Sequence, residues 1–517
     1  MSAQRLSHLK IDSPRSREIG GTAPDPTAYL RFALISPNNY FIGMSNLGVH
    51  YVYQTLNRFP GVACERFFLD HPTHSIDHDT PLEHFPILLF SASFELDYVN
   101  IVRILQLNRI PLAAADRGQR HPVLIGGGVA FGLNRRPVSQ LFDAFLLGEG
   151  ETLLKPLVQG AREASTGTRL EPRKLLDAVG QLPGGEVTQG ARTRFGLTEA
   201  AETEVCVSGV LKTEGAHEVC ASALLTPDTE FGNRALIEIA RGCPHSCTFC
   251  LQGGRLAPCR PRSFTAIRAA IDRWRPHTRR FGLVASAVGA HPQIDDICRY
   301  GAELDADVSF SSLRIEDVTP EMLSCLERSG QRSLTIAPEA GSQRLRKLLA
   351  KRLTDERIMA FAEDSFQRGI RNLKLYLMIG LPSEEPEDIE AIAMLTRRLR
   401  EIMIAVQRSS GHLGAITLNA NIFIPKPGTP LARLPLPEPA QLRAHRKLLR
   451  KCAQPIPNVK LRIGSMRQAR IQLLLARGDH RAQELLLTLA KAKTPPAQLL
   501  KASNRELNER YGLGLAD

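Results

Sequence analysis

Apolar and polar positions alternate along this chain in two successive series. From Tyr29 onward, short apolar runs are separated by longer segments with helical spacing. Leu30 to Ser36, Ala63 to Phe68, Ile87 to Ser91, Val123 to Ile125 and Phe142 to Leu147 read as buried strands, and Asp97 to Asn108 as an amphipathic helix. Several of these strands run into polar or glycine loops, among them Pro37 to Gly48, Gly126-Gly127-Gly128 and Gly148-Glu149-Gly150-Glu151. Strands alternating with helices predict a parallel, doubly wound sheet, with ligands at its C-terminal edge where these loops lie. Residues 152 to about 228 are less patterned, with helices over Leu153 to Ala164 and Pro172 to Leu182 and a break at Pro183-Gly184-Gly185.

The second series begins at Ala235 to Ala240. It continues through Phe281 to Val288, Asp307 to Leu313, Ser333 to Ala337, Asn372 to Ile379 and Ile416 to Phe423, with helices in the intervals. Six such units predict a partial barrel of TIM type with its site at the C-terminal strand ends. After Pro430 the chain is helical and basic. The apolar spacing of Leu473 to Leu489 suits packing on the barrel, and the basic stretch reads as a solvated helical cap or an RNA-binding tail. The fold class is therefore α/β: a Rossmann-like parallel sheet, a partial (β/α)6 barrel and a helical tail. The expected boundaries are a flexible lead-in at 1–27, a first domain at 28–155, a connector at 156–228, a core at 229–455 and a basic helical segment at 456–517. No run of about 18 apolar residues appears, so no membrane-spanning helix is predicted. The first residues lack the apolar stretch of a secretory signal, and the scattered cysteines do not suggest a disulfide framework. A cytoplasmic setting is expected. The net charge of +13 favours acidic partners, RNA among them, or reflects solvated basic helix faces.

The chemistry concentrates in Arg241-Gly242-Cys243-Pro244-His245-Ser246-Cys247-Thr248-Phe249-Cys250. Thiolates are soft ligands, and runs of closely spaced cysteines hold iron–sulfur clusters. Three ligands leave one iron of a cubane open. A structural zinc site would need a fourth ligand, which His245 or Cys259 could supply. Among the other strand ends, Glu339 can accept hydrogen bonds from a ribose or an amine, or act as a helix-end acid. Arg314 can pair with a carboxylate, or form a surface ion pair. Gly380-Leu381-Pro382 can let backbone approach an adenine ring, or form an ordinary strand-to-helix turn.

The C-x3-C-x2-C spacing, with Phe249 before the last cysteine, resembles the cluster motif of the radical S-adenosylmethionine (radical SAM) superfamily. The resemblance implies a [4Fe–4S] cluster on Cys243, Cys247 and Cys250, with S-adenosylmethionine chelated by the open iron. Ala337-Pro338-Glu339-Ala340-Gly341-Ser342, Lys374 to Pro382 and Pro425 to Pro430 are similar to motifs of the group that includes the methylthiotransferases and the elongator catalytic subunit. There the glutamate approaches S-adenosylmethionine. The Gly-Gly-Glu common after the second strand is replaced by Ala285-Ser286-Ala287-Val288-Gly289. Gly126-Gly127 and the stretch Phe142 to Glu151, with Gly148, look like a cobalamin-binding-like (B12-binding-like) domain. No Asp-x-His-x-x-Gly follows the first strand, which allows cobalamin without a histidine ligand, or no cobalamin. Phe41 to Gly48, Cys64-Glu65-Arg66, Phe94 to Asn100 and Ser311 to Arg314 together resemble a little-characterised radical SAM family.

The implied activity is reductive cleavage of S-adenosylmethionine to a 5′-deoxyadenosyl radical, fed by a reductant such as flavodoxin or ferredoxin. The outcome would be methylation, methylthiolation or rearrangement of a substrate that the resemblance does not name. An RNA- or tRNA-modifying enzyme and a non-catalytic iron–sulfur or cobalamin sensor are the alternatives.

Overall fold

The computed structural model describes residues 14–167, 169–197, 219–253, 258–310, 313–408, 411–434, 436–491 and 502–515. The first series of strands forms one six-stranded sheet: β1 (Leu30–Ile35), β2 (Val62–Phe67), β3 (Ile87–Ser91), β4 (Val123–Gly127), β5 (Ala144–Leu146) and β6 (Gly185–Val187). The order is β2-β1-β3-β4-β5-β6, parallel throughout except for β6, which runs antiparallel to β5. Both faces are covered by separate apolar layers, which is why these strands read as continuous apolar runs. The domain extends past its expected end. Helix α1 (Gly150–Glu163) crosses residue 155, and β6 joins the sheet, so the first part of the expected connector belongs to this domain. Residues 198–218 of that connector lie outside the described residues.

The expected flexible lead-in is corrected from residue 14 on. Ile19 exchanges backbone hydrogen bonds with Leu225. The Glu18 carboxylate accepts from both terminal nitrogens of Arg66 at 2.8 Å. Arg66 lies on β2 and is fully buried, a position a guanidinium tolerates only when paired. Asp77 completes that pairing at 2.8 Å.

The second series gives β7 (Ala235–Glu238), β8 (Arg280–Val284), β9 (Asp307–Phe310), β10 (Ser333–Glu339), β11 (Asn372–Ile379) and β12 (Ile416–Ile422). These strands form two parallel sheets, β9-β8-β7 and β10-β11-β12. A parallel bridge between Leu313 and Ile336 carries one sheet on to the other. The barrel has one more strand than expected. β13 (Val459–Ile463) pairs parallel to β12, inside the segment assigned to a helical tail. The barrel core packs the outward faces of these strands against the surrounding helices.

The remaining tail helices, α2 (Met466–Arg477), α3 (Ala482–Lys491) and α4 (Asn504–Tyr511), touch the barrel core through Met466 and the segment after β12 through Arg477 and Asn504, and they also reach the first domain. Ile471, Leu474, Leu486, Leu489 and Tyr511 are buried in one cluster with Tyr98, Ile101, Phe131 and Phe142 of the first domain. Asn134 donates to Leu475 O and Gly478 O at 3.1 and 2.8 Å, fixing the contact.

Candidate functional site

The cysteine loop leaves the barrel at the C-terminal end of β7. Gly242 adopts φ +79°, a conformation that side-chain-bearing residues rarely take, and this turns the chain into the loop. Cys243 and Cys247 are buried and Cys250 is half-buried. The loop is pinned on two sides. Thr248 donates through its amide to Leu349 O at 3.2 Å and through its hydroxyl to Leu348 O at 2.9 Å, and Thr248 O accepts from the Leu431 amide at 3.2 Å. Phe249 packs into a small apolar cluster with Ala340, Leu345, Leu381, Phe423 and Leu431. The loop is thus keyed to the segments that follow β10, β11 and β12.

Strand ends then bring charge to the sulfurs. Arg314, following β9, donates from Nη1 to Cys247 Sγ at 3.2 Å, while Nη2 holds Glu316 at 2.9 Å. His245 contacts Asp317 at 2.6 Å. Burial pushes the Cys243 thiol up, opposed by the nearby Arg314, and Cys243 feels the charge of both other cysteines. Burial also pushes Cys250 up, and Cys247 and Glu339 add to the effect. The three thiols and Glu339 therefore lie within electrostatic reach of one another. Burial pushes the Cys259 thiol up, opposed by Arg260.

Glu339 ends β10 with φ +69° after a register shift between Ile336 and Glu339. Burial raises its pKa, and Lys351, 3.4 Å away, offsets this only in part. Lys351 also donates to Ala337 O at 3.1 Å. Lys351 and the fully buried Arg346, which donates to Ala340 O and Gly341 O, were not singled out from the sequence. The signal available there was two cations close behind an Ala-Gly-Ser turn.

The turn at Gly380 is held by a carboxylate. Gly380, at φ +78°, donates its amide to Glu384 Oε2 at 2.7 Å, and His445 Nδ1 lies 2.8 Å from the same oxygen. Leu381 is buried beside Phe249, whereas Pro382 follows it into the turn.

The three glycines of the first domain divide. Gly127 and Gly148 line a cavity of about 360 Å³ at the C-terminal edge of its sheet, while Gly126 faces the Phe145 and Phe131 rings instead. The cavity walls are mainly apolar, including Leu34, Leu89, Ile125, Leu146 and Leu154, and among the described residues no histidine lines them. Its mouth is shared with the barrel: Glu238, Arg241, Leu251 and Arg260 line it too. Arg241 bridges the domains, pairing with Glu151 at 2.8 Å, Glu238 at 2.7 Å and Glu149 at 3.3 Å, and Arg260 also holds Glu149.

Residues 48–187 match the family of radical SAM proteins' N-terminal domains, and residues 237–396 match the radical SAM superfamily. A protein of Methanocaldococcus jannaschii, described only as uncharacterized, is 24% identical over 93% of this chain and 95% of its own. The solved radical S-adenosylmethionine methyltransferase TsrM from Kitasatospora setae, with cobalamin and a [4Fe–4S] cluster bound, superposes with a TM-score of 0.50 at 12% identity, over 78% of this chain and 77% of that one. That likeness is one of fold. Residues 237–396 form a domain of the radical SAM superfamily, behind an N-terminal domain of the kind that accompanies it.

The superfamily implies a [4Fe–4S] cluster and S-adenosylmethionine. The donor set fits: three thiols on one short loop and a guanidinium to neutralise thiolate charge. Among the described residues, no three His, Cys, Asp or Glu groups are gathered tightly enough for a single ion. A cubane does not require that, since each thiolate binds its own iron.

Proposed function

We propose that this chain is a radical SAM enzyme. The carrying observation is the loop of Cys243, Cys247 and Cys250 at a barrel strand end, with Arg314 on Cys247 and Glu339 beside Cys250. Cys243, Cys247 and Cys250 would hold a [4Fe–4S] cluster that, with S-adenosylmethionine bound, would supply radical chemistry on one-electron reduction, and a flavodoxin or ferredoxin is the class of donor suited to that step. The chain's own residues do the rest. Arg314 offsets negative charge at the sulfurs. Glu339 presents a carboxylate short of donors to a cationic cofactor. Phe249 and its apolar neighbours keep water from one side of the loop. Anaerobically reconstituted protein is expected to hold about four irons and four sulfides, as a cubane requires. Replacing the three cysteines with Ala removes them, and Cys259→Ala does not. Loss of the cluster in Cys259→Ala would mean a fourth protein ligand and would sink the mechanism.

Cobalamin is a second reading, favoured by the cavity at Gly127 and Gly148 that opens beside Leu251, next to Cys250. Its apolar walls suit the apolar part of such a molecule. Gel filtration of the protein with excess hydroxocobalamin is expected to give coloured protein. Colourless protein with an intact cluster would leave the domain an architectural role.

A further inference from the structure

The inner face of the barrel carries charge that the cysteine site does not use. On β11, Leu373, Leu375, Leu377 and Ile379 are buried against the helices, while Lys374 and Tyr376 are exposed on the opposite face. β12 alternates likewise, with Ile416, Leu418 and Ala420 buried and Asn421 exposed. On β13 the exposed positions are Lys460 and Arg462.

The register aligns these positions in rows. Thr335, Lys374, Thr417 and Lys460 stand side by side across four strands. Tyr376, Asn419 and Arg462 form the next row toward the cysteine loop. Adjacent strands lie about 4.8 Å apart, so long side chains two strands apart can reach one small group. Among the described residues, Lys374, Lys460 and Arg462 make no hydrogen bond or ion pair. Edge-strand cations commonly deter pairing with another chain, which would account for Lys460 and Arg462. It does not account for Lys374, which lies on an interior strand between β10 and β12. Three unneutralised cations on one concave face favour an anion.

We propose that this face binds a small substrate in which a phosphate group is joined to a planar ring. Lys374, Lys460 and Arg462 take the phosphate. Tyr376, 43% exposed, offers its ring for stacking, and the amides of Asn419 and Asn421 lie in line toward the cysteine loop. The cations sit on the inner strand face and not on the outer helices, so a free small molecule is the occupant that suits them. The proposal rests on the radical SAM reading only for the end at which chemistry occurs.

Binding of inorganic pyrophosphate, adenosine 5′-monophosphate and adenosine to the cluster-loaded protein tests this. The two phosphate probes are expected to bind saturably, with adenosine at least about tenfold weaker. Lys460→Ala/Arg462→Ala and, separately, Lys374→Met each lower the affinity about tenfold or more. Arg299→Ala/Arg505→Ala removes the same charge from exposed outer helices and leaves the affinity unchanged. The proposal is overturned by an absence of saturable phosphate binding, by equal losses in both double variants, or by binding of an RNA oligonucleotide alone. Cleavage of S-adenosylmethionine is scored on the same wild-type preparation. Cleavage without probe binding defeats only this proposal, and probe binding without cleavage defeats only the radical reading.

Discussion

Glu339 holds a left-handed backbone conformation that costs a residue with a side chain about 1–2 kcal/mol, and glycine would avoid that cost. It also keeps a carboxylate buried with one partly engaged lysine for company. Strain of this kind persists where the surroundings impose it, and it gathers at ligand sites. If Glu339 accepts from S-adenosylmethionine, Glu339→Gln forfeits a charged hydrogen bond of about 1.5–3 kcal/mol. The expected result is about ten- to a hundredfold weaker binding, at about 1.4 kcal/mol per decade, with iron content unchanged. Equilibrium binding to the reconstituted variant measures it, and unchanged affinity would reduce Glu339 to a helix-end acid. The three cysteines were legible because their spacing is local. The Arg314–Cys247 contact spans 67 residues and depends on two strand ends meeting, which no local pattern encodes.

The turn after β11 shows the same limit for an element. Gly380-Leu381-Pro382 was visible as a turn, but its anchor, His445, arrives from a helix 61 residues away from Glu384. The hydrogen bond to Glu384 raises the His445 pKa against the opposing effect of burial. A group whose folded pKa is raised contributes stability in full below its unfolded value, near 6.5, and loses it as pH rises through the folded value. Denaturant unfolding between pH 6 and 9 should therefore show stability falling with pH. His445→Gln should flatten that slope, and an identical slope in the variant would remove the pair from the account. Strand β13 was missed although Val459 to Ile463 alternates apolar and charged residues with period two. Its position at a sheet edge leaves one face wet, and basic helical stretches flank it on both sides. The first-domain strands were easier to read, because burial on both faces makes them unbroken apolar runs.

At the scale of the whole molecule, two groups of contacts among the described residues stand out in tying the first domain to the barrel and its tail. One is the Arg241 network with Glu149, Glu151 and Glu238, placed beside the cysteine loop and the cavity mouth. The other is the burial of α2, α3 and α4 against the first domain, so that the chain's end returns past the barrel to its beginning. The alternation of strands and helices announced two α/β units, but not this closure, since an amphipathic helix does not state which surface it will cover. The arrangement sets the apolar cavity of the first domain against the barrel residues Glu238, Arg241 and Leu251 beside the cysteine loop. The central claim is that this assembly cleaves S-adenosylmethionine reductively. Its most direct test is anaerobic incubation of the reconstituted protein with S-adenosylmethionine and a strong reductant. Wild type and Cys259→Ala should form 5′-deoxyadenosine, and the variant with Ala at Cys243, Cys247 and Cys250 should form none. Intact S-adenosylmethionine over a four-iron wild-type protein would contradict the account and favour a non-catalytic sensor.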